Sequence, residues 1–114
     1  MSGITRIRIF VGVVFAGMLW ATVTASLDES VFSAGSRLLD EPWFVTTLFD
    51  TYFAFLTFWA WLAYKETSWI ARLVWLALIV TLGNFAMATY LLIQTFKIKP
   101  GEGVAELLTK RVTA

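Results

Sequence analysis

Apolar residues fall into three long runs along the chain, separated by short polar stretches. The runs cover about residues 7–27, 43–64 and 70–96, and each contains a single charged side chain. About 20 predominantly apolar residues are enough for a helix to cross the ~30 Å hydrocarbon core of a bilayer. The pattern therefore predicts an all-α integral membrane protein with three transmembrane helices, a short C-terminal tail and one membrane domain over residues 1–114.

The first run has features of a signal peptide and features of a packed transmembrane helix. Arg6 precedes it and Arg8 lies at its start, and small residues near Ala25 resemble the cleavage site of a secretory signal peptide. Its apolar stretch is longer than the ~7 to 15 residues of a signal peptide, so we expect an uncleaved span. Gly17, Ala21 and Ala25 recur at four-residue spacing, which predicts a helix-packing face. Chance is an equally open explanation, because glycine and alanine are common in transmembrane helices.

The second and third runs flank the polar turn 65–68 and are expected to pair as antiparallel helices. Asp50 lies 17 residues before Thr67 and Asn84 lies 17 after it, so both should lie at the same depth. A charged side chain inside the membrane costs roughly 3 kcal/mol by insertion scales. An amide partner would lower that cost, and we therefore predict an intramembrane polar pair of Asp50 and Asn84.

Small and hydroxylated side chains accompany this pair at helical spacing. The residues expected to share its helix faces and to pack against a neighbouring helix are Thr47, Ala54, Thr57, Thr81 and Ala88. Two interpretations remain open: a structural contact between helices, or a proton or ligand site. The second is the weaker, since no other carboxylate, histidine or basic residue lies at mid-membrane depth to continue a relay.

Tryptophan and tyrosine residues cluster at the ends of the runs. Such aromatic belts anchor helices at the membrane interface. The predicted anchors are Trp43, Trp59, Trp61, Tyr64 and Trp69.

The polar segments differ in charge. Residues 26–42 carry four carboxylates and only Arg37, and a short interfacial helix is expected over 30–39. One or two helical turns are expected over 104–112. Basic residues before the first run and in the turn at 65–72 favour a cytoplasmic N-terminus by the positive-inside rule. Three spans would then place the basic tail on the opposite side, against the rule.

Composition excludes several functions. The chain is 59% hydrophobic with a mean hydropathy of +0.75 and a net charge of +1, and it contains no cysteine and no histidine. Disulfides, thiol chemistry and the commonest metal and haem ligands are therefore absent. No dinucleotide-binding, phosphate-loop, nucleophile-elbow or zinc-protease motif is present. We expect no catalysis, no metal, no nucleic-acid partner and no cofactor beyond a bound lipid or pigment.

One part of the sequence resembles a known family. The segments that carry the resemblance are Pro42-Trp43-Phe44, Phe49-Asp50-Thr51-Tyr52, Tyr64-Lys65-Glu66 and Leu82-Gly83-Asn84-Phe85-Ala86. Residues 42–96 resemble a family of short three-helix membrane proteins from bacteria and plants that is classed as a domain of unknown function. The resemblance implies a fold and a membrane location but brings no activity.

The sequence is compatible with three functions. The first is an accessory subunit at the edge of a larger membrane complex of respiratory or photosynthetic type, in a bacterial inner or photosynthetic membrane, with lipids and larger membrane subunits as partners. The second is a small oligomeric transporter or ion or proton conductor that uses Asp50 and Asn84. The third is a membrane protein that binds lipid or pigment.

Overall fold

The fold is entirely helical over the residues that the computed structural model describes, which are 2–110. The helices of this range are α1 (Gly3–Asp28), α2 (Val31–Leu38), α3 (Pro42–Lys65), α4 (Trp69–Leu82), α5 (Asn84–Phe96) and α6 (Val104–Leu108). The predicted all-α class is confirmed.

Two helices, α1 and α3, are long, with 26 and 24 residues, and at 1.5 Å per residue they extend about 39 and 36 Å. The Ser2 hydroxyl caps α1 by accepting a hydrogen bond from the backbone N–H of Thr5 at 3.1 Å. Pro42 begins α3, where its fixed φ angle and missing N–H suit a first helical position. The observed bounds agree with the predicted runs 7–27 and 43–64. The short helix expected within 30–39 is also present as α2.

The predicted third helix over 70–96 is wrong, because the chain breaks at Gly83 into α4 and α5. Gly83 has φ +57° and ψ −125°, a conformation that glycine adopts readily and other residues rarely do. The rings of Trp75 and Tyr90 lie 5.0 Å apart. On one straight helix these residues would be separated by about 22 Å. Helix α5 therefore folds back beside α4, and the two form a hairpin with Gly83 at its apex.

Helix α5 also packs along the first half of α1. The Phe15 and Phe85 rings meet edge to face with centroids 5.3 Å apart, and Arg8 hydrogen bonds to Thr95. The two helices are antiparallel, since residue numbers rise along α1 as they fall along α5. The hairpin apex consequently lies near the middle of α1.

The hydrophobic core lies where α3, α4 and α5 meet. Its buried residues are Leu62, Ile79, Ala86 and Tyr90. Half-buried aromatic side chains surround it, among them Phe55 and Phe58 of α3.

The first and last described segments lie at the same end of the molecule. A Cβ added at Gly3 would lie 2.6 Å from Val104, and the Lys65 ammonium at the end of α3 donates to the Thr109 carbonyl at 3.2 Å. The expectation that the two ends of the chain lie on opposite sides is therefore wrong, because the hairpin adds a reversal that a third span would lack. Residues 111 and 112, in the predicted tail helix, lie outside the described residues.

This topology gathers most cations at one end, where they outnumber the carboxylates Glu66, Glu102 and Glu106. We name the end that holds the first residues of α1, the end of α3 and the C-terminal segment the basic end; its cations are Arg6, Arg8, Lys65, Arg72, Lys97, Lys99 and Lys110. The opposite end, the acidic end, carries Asp28, Glu29, Asp40 and Glu41 with Arg37.

Among the described helices, only α1 is both long enough and apolar enough to cross a membrane. Helix α3 has the length, but it carries Asp50 and many threonine, tyrosine and tryptophan residues. Helix α4 is apolar but has 14 residues. The three predicted membrane spans are therefore not confirmed by the helices of residues 2–110.

Replacing Gly83 with alanine should destabilise the protein. A Cβ there would lie 2.9 Å from the Phe55 ring, at a φ angle that side chains rarely adopt. We expect the free energy of unfolding in detergent, followed by circular dichroism, to fall by about 1 to 3 kcal/mol.

Gly17→Ala is the matched control. No atom lies within 4 Å of a Cβ at Gly17, which is inside α1. Stability should be unchanged or higher by about 0.5 to 1 kcal/mol. Equal stability of Gly83→Ala and the wild type would contradict the turn at Gly83.

Candidate functional site

The structure does not bring Asp50 and Asn84 into contact. Asp50 is exposed on α3, and among residues 2–110 no hydrogen bond joins it to any side chain. Asn84 is half-buried at the start of α5, near Phe58 and Val11. The predicted polar pair is not formed, because the break at Gly83 carries α5 towards α1 and places Asn84 at the hairpin apex.

The predicted polar face of α3 is not its buried face. Thr47, Asp50, Ala54 and Thr57 are all exposed. The side chains that turn inward along α3 are Phe44, Leu48, Thr51, Phe55, Phe58 and Leu62. The two stripes differ by roughly 100° around the helix, the rotation of one residue. Bulky apolar side chains fill the space between helices, so the small and polar face turns outward.

The threonines expected to link the helices bond within their own helices. Thr47 and Thr57 donate to the carbonyls of Trp43 and Phe53 at 2.8 and 2.9 Å, and Thr81 donates to its own helix in the same way. Such bonds to the carbonyl four residues earlier satisfy the hydroxyl locally. These residues are therefore compatible with an apolar setting but do not hold this fold together.

The predicted small-residue positions have different environments. Gly17, Ala21 and Ala25 of α1 are exposed, and the two alanines line a shallow cleft of about 400 Å³ beside α2. Ala88 is buried, with 5% of its surface exposed, where α5 packs on α1. Of the predicted packing residues, Ala88 alone is buried within the described chain.

The predicted aromatic anchors lie at both ends of the molecule. Trp43 is exposed near the acidic end, and Tyr64 and Trp69 are exposed near the basic end. Trp59 and Trp61 also stabilise the fold, because their indole N–H groups donate hydrogen bonds to the carbonyls of Arg72 at 2.8 Å and Leu108 at 3.0 Å.

Asn84 lines an apolar groove of about 210 Å³ between α1, α3 and α5. Its lining residues are Phe10, Val11, Val14, Phe58, Asn84, Met87, Ala88 and Leu91. A concave apolar surface with a single amide suits a small hydrophobic group, such as part of an acyl chain, with one hydrogen-bonding atom.

The polar centre of the fold is Tyr90, which sequence analysis did not single out. Its side chain is fully buried, and its hydroxyl donates to the Glu66 carboxylate at 2.9 Å. The rings of Trp75, Trp61 and Phe58 meet it edge to face at 5.0, 5.8 and 6.2 Å. The available signal was a tyrosine in the apolar run 84–96 and a carboxylate in the turn 65–68. The sequence does not indicate that these two residues meet, because their contact depends on α5 folding back beside α4.

The two ends are held by charged side chains. At the basic end, the Arg8 guanidinium donates to the hydroxyl and carbonyl of Thr95 at 3.2 and 3.0 Å and lies 4.5 Å from the centre of the Phe96 ring. At the acidic end, hydrogen bonds from Arg37 and Ser33 hold the pKa of the Glu29 carboxyl below its usual range. Arg37 thereby ties α2 to the end of α1.

Within residues 2–110, no group of three or more histidine, cysteine, aspartate or glutamate side chains is placed to hold a metal ion. The arrangement described above consists of a buried hydrogen bond, an apolar groove and an exposed carboxylate.

The fold and these sites define a small all-helical protein with one helix able to cross a membrane and a hairpin of two shorter helices. Over residues 2–111 the sequence matches a family described as protein of unknown function (DUF1475), and the chain belongs to that family. The predicted membership of a family of unknown function is thus confirmed, and the match extends beyond residues 42–96 to α1 and the C-terminal segment. No curated protein and no solved structure matches the chain.

Removing the Tyr90 hydroxyl should weaken the fold. Tyr90→Phe keeps the ring contacts but leaves the Glu66 carboxylate without its donor, which should lower the free energy of unfolding by about 1 to 3 kcal/mol. Denaturation in detergent, followed by tryptophan fluorescence, measures the loss. Tyr64→Phe is the control, since Tyr64 is 54% exposed and should change stability by less than about 0.5 kcal/mol. If both variants lose the same stability, the Tyr90 hydrogen bond is not a determinant of the fold.

Proposed function

We propose that this chain is a small membrane-embedded subunit, without catalysis of its own, that packs at the edge of a larger membrane protein complex. The observation that carries the proposal is the second half of α1, in which every residue from Leu19 to Asp28 is exposed. These three mostly apolar turns are therefore left open, with the short helix α2 beside them.

Apolar exposure extends beyond α1. Large exposed side chains include Phe10, Trp20, Trp43 and Phe53, which are 61 to 82% exposed. Contiguous apolar surface of this kind is typical of contact with membrane or protein. A lipid environment would satisfy most of it.

The short length of the α4–α5 hairpin also favours contact with another protein. Helices α4 and α5 have 14 and 13 residues and extend about 20 Å, compared with about 39 Å for α1. The halves of α1 and α3 towards the acidic end therefore lie beyond α4 and α5, and the remaining described helix there is α2, with eight residues. We infer that a helix of the larger complex packs there.

The proposal includes a membrane topology. We infer that α1 and α3 both cross the membrane: α1 is long and apolar enough to do so, and α3, although less apolar, has the length. Helices α4 and α5 are each too short for a ~30 Å core and enter and leave on one side. Backbone breaks at membrane depth are tolerated where protein covers them, and the Phe55 ring lies against Gly83. Both chain ends, with the cations of the basic end, lie in the cytoplasm, in agreement with the positive-inside rule.

The groove beside Asn84 favours lipid binding as a second candidate function. Its apolar lining and single amide suit an acyl chain better than a charged ligand. A conductor that uses Asp50 together with Asn84 has less support, because the two side chains do not meet.

The topology is testable by cysteine labelling, since the chain contains no native cysteine. We expect single cysteines at Ser2 and Thr109 to react with a membrane-impermeant maleimide from the cytoplasmic side, and a cysteine at Ser36 to react from the opposite side. Labelling before and after permeabilisation gives the comparison. Labelling of positions 2 and 109 from opposite sides would show that α4 and α5 cross the membrane together as one span.

The subunit role is testable by size. Solubilised from its own membrane in a mild detergent, the full chain of 12.9 kDa should migrate on a native gel within a much larger particle. A harsher detergent should release it as a small species that keeps its helical spectrum. Migration as a free monomer in the mild detergent would overturn the proposal.

A further inference from the structure

Asp50 is the one carboxylate of α3, and its position is unusual for a membrane helix. It lies eight residues after Pro42, about 12 Å along a helix of about 36 Å. In the proposed topology this depth is inside the hydrocarbon core. The side chain is exposed and has no hydrogen bond within residues 2–110.

An exposed aspartate is too short to reach the membrane surface from that depth. Charged groups inside membranes are accordingly found against the protein interior, a water-filled cavity or a partner of opposite charge. Asp50 does not face the interior of this fold, because the inward face of α3 is the one that carries Phe55 and Phe58. In this topology, a group of opposite charge on another molecule would satisfy Asp50.

This chain has no cation at the level of Asp50. Of its nine lysine and arginine residues, Arg37 lies at the acidic end bound to Glu29, and seven lie at the basic end; Arg111 is outside the described residues. Lys65 is 15 residues, about 22 Å, further along α3 than Asp50. A second copy in the same orientation would thus present another Asp50 or neutral side chains at this level, and no balancing charge.

The surroundings of Asp50 suit a closely packed helix. Thr47, Ala54 and Thr57 share its face, and the two threonine hydroxyls are satisfied within α3. Small side chains without unmet hydrogen bonds let a neighbouring helix approach closely in a membrane.

We propose that the face of α3 formed by Thr47, Asp50, Ala54 and Thr57 docks a transmembrane helix of another protein that carries a lysine or arginine at the depth of Asp50. The inference rests on the proposed subunit role and names the chemistry of the partner. Asp50 supplies the charge that selects and orients the helix, and the small residues set the close approach.

The first test compares particle size for variants of the full chain in its own membrane. Asp50→Leu should reduce the fraction of chain in the large particle by at least about tenfold, because it leaves the partner's cation unpaired. Phe49→Leu is the matched control: Phe49 is 59% exposed at nearly the same depth but on another face, so assembly should be unchanged. The melting temperature of the isolated Asp50→Leu chain should equal that of the wild type, since Asp50 has no hydrogen bond in this fold.

The second test identifies the partner. A photoreactive phenylalanine analogue at position 54 should crosslink to a transmembrane segment that contains lysine or arginine. Asp50→Lys together with the partner's cation changed to aspartate should restore the large particle, whereas each single change should not.

The outcomes separate this inference from the subunit role. A large particle that survives Asp50→Leu overturns the docking face and leaves the subunit role in place. A crosslink to a second copy of this chain, or to a segment without a cation, overturns the charged partner. A wild-type chain that migrates alone overturns both.

Discussion

The turn at Gly83 is the constraint on which the rest of the structure depends. Its positive φ angle reverses the chain inside an apolar run, so α5 returns beside α4 and packs on α1. The reversal brings Tyr90 to Glu66 and Arg8 to Thr95, contacts that a continuous helix would place tens of ångströms apart. It also brings the C-terminal segment back to the end where α1 begins.

The hairpin is held at its two ends by different interactions. At the apex, the Phe55 ring covers Gly83, so the break in backbone hydrogen bonding is shielded by protein. At the other end, the Tyr90 hydroxyl binds Glu66, and Arg72 binds the Glu66 carbonyl. A buried hydroxyl is costly without a partner, and this pairing therefore specifies how far α5 lies along α4. The fold is thus organised around a polar contact enclosed by aromatic rings.

Sequence patterns located the two long helices to within a few residues, because a run of about 20 apolar residues has few alternatives to a helix. They also located α2 between its acidic neighbours. They did not locate the hairpin, since Gly83 and Asn84 inside an apolar run are equally typical of a tightly packed single helix. The predicted buried face of α3 was displaced by one residue. The stripe of small and polar residues and the stripe of bulky aromatic residues were both plausible as the face that packs inward.

What the sequence by itself determined is the helical class, the apolar surface and the family to which the chain belongs, all of which depend on local composition and order. Tertiary structure alone decided that the basic residues gather at one end, that Tyr90 and Glu66 meet, and that Asp50 turns outward. These depend on the direction of the chain after Gly83 and on the rotation of α3. A glycine permits a reversal without requiring one, and only the packing of α5 between α1 and α4 selects it.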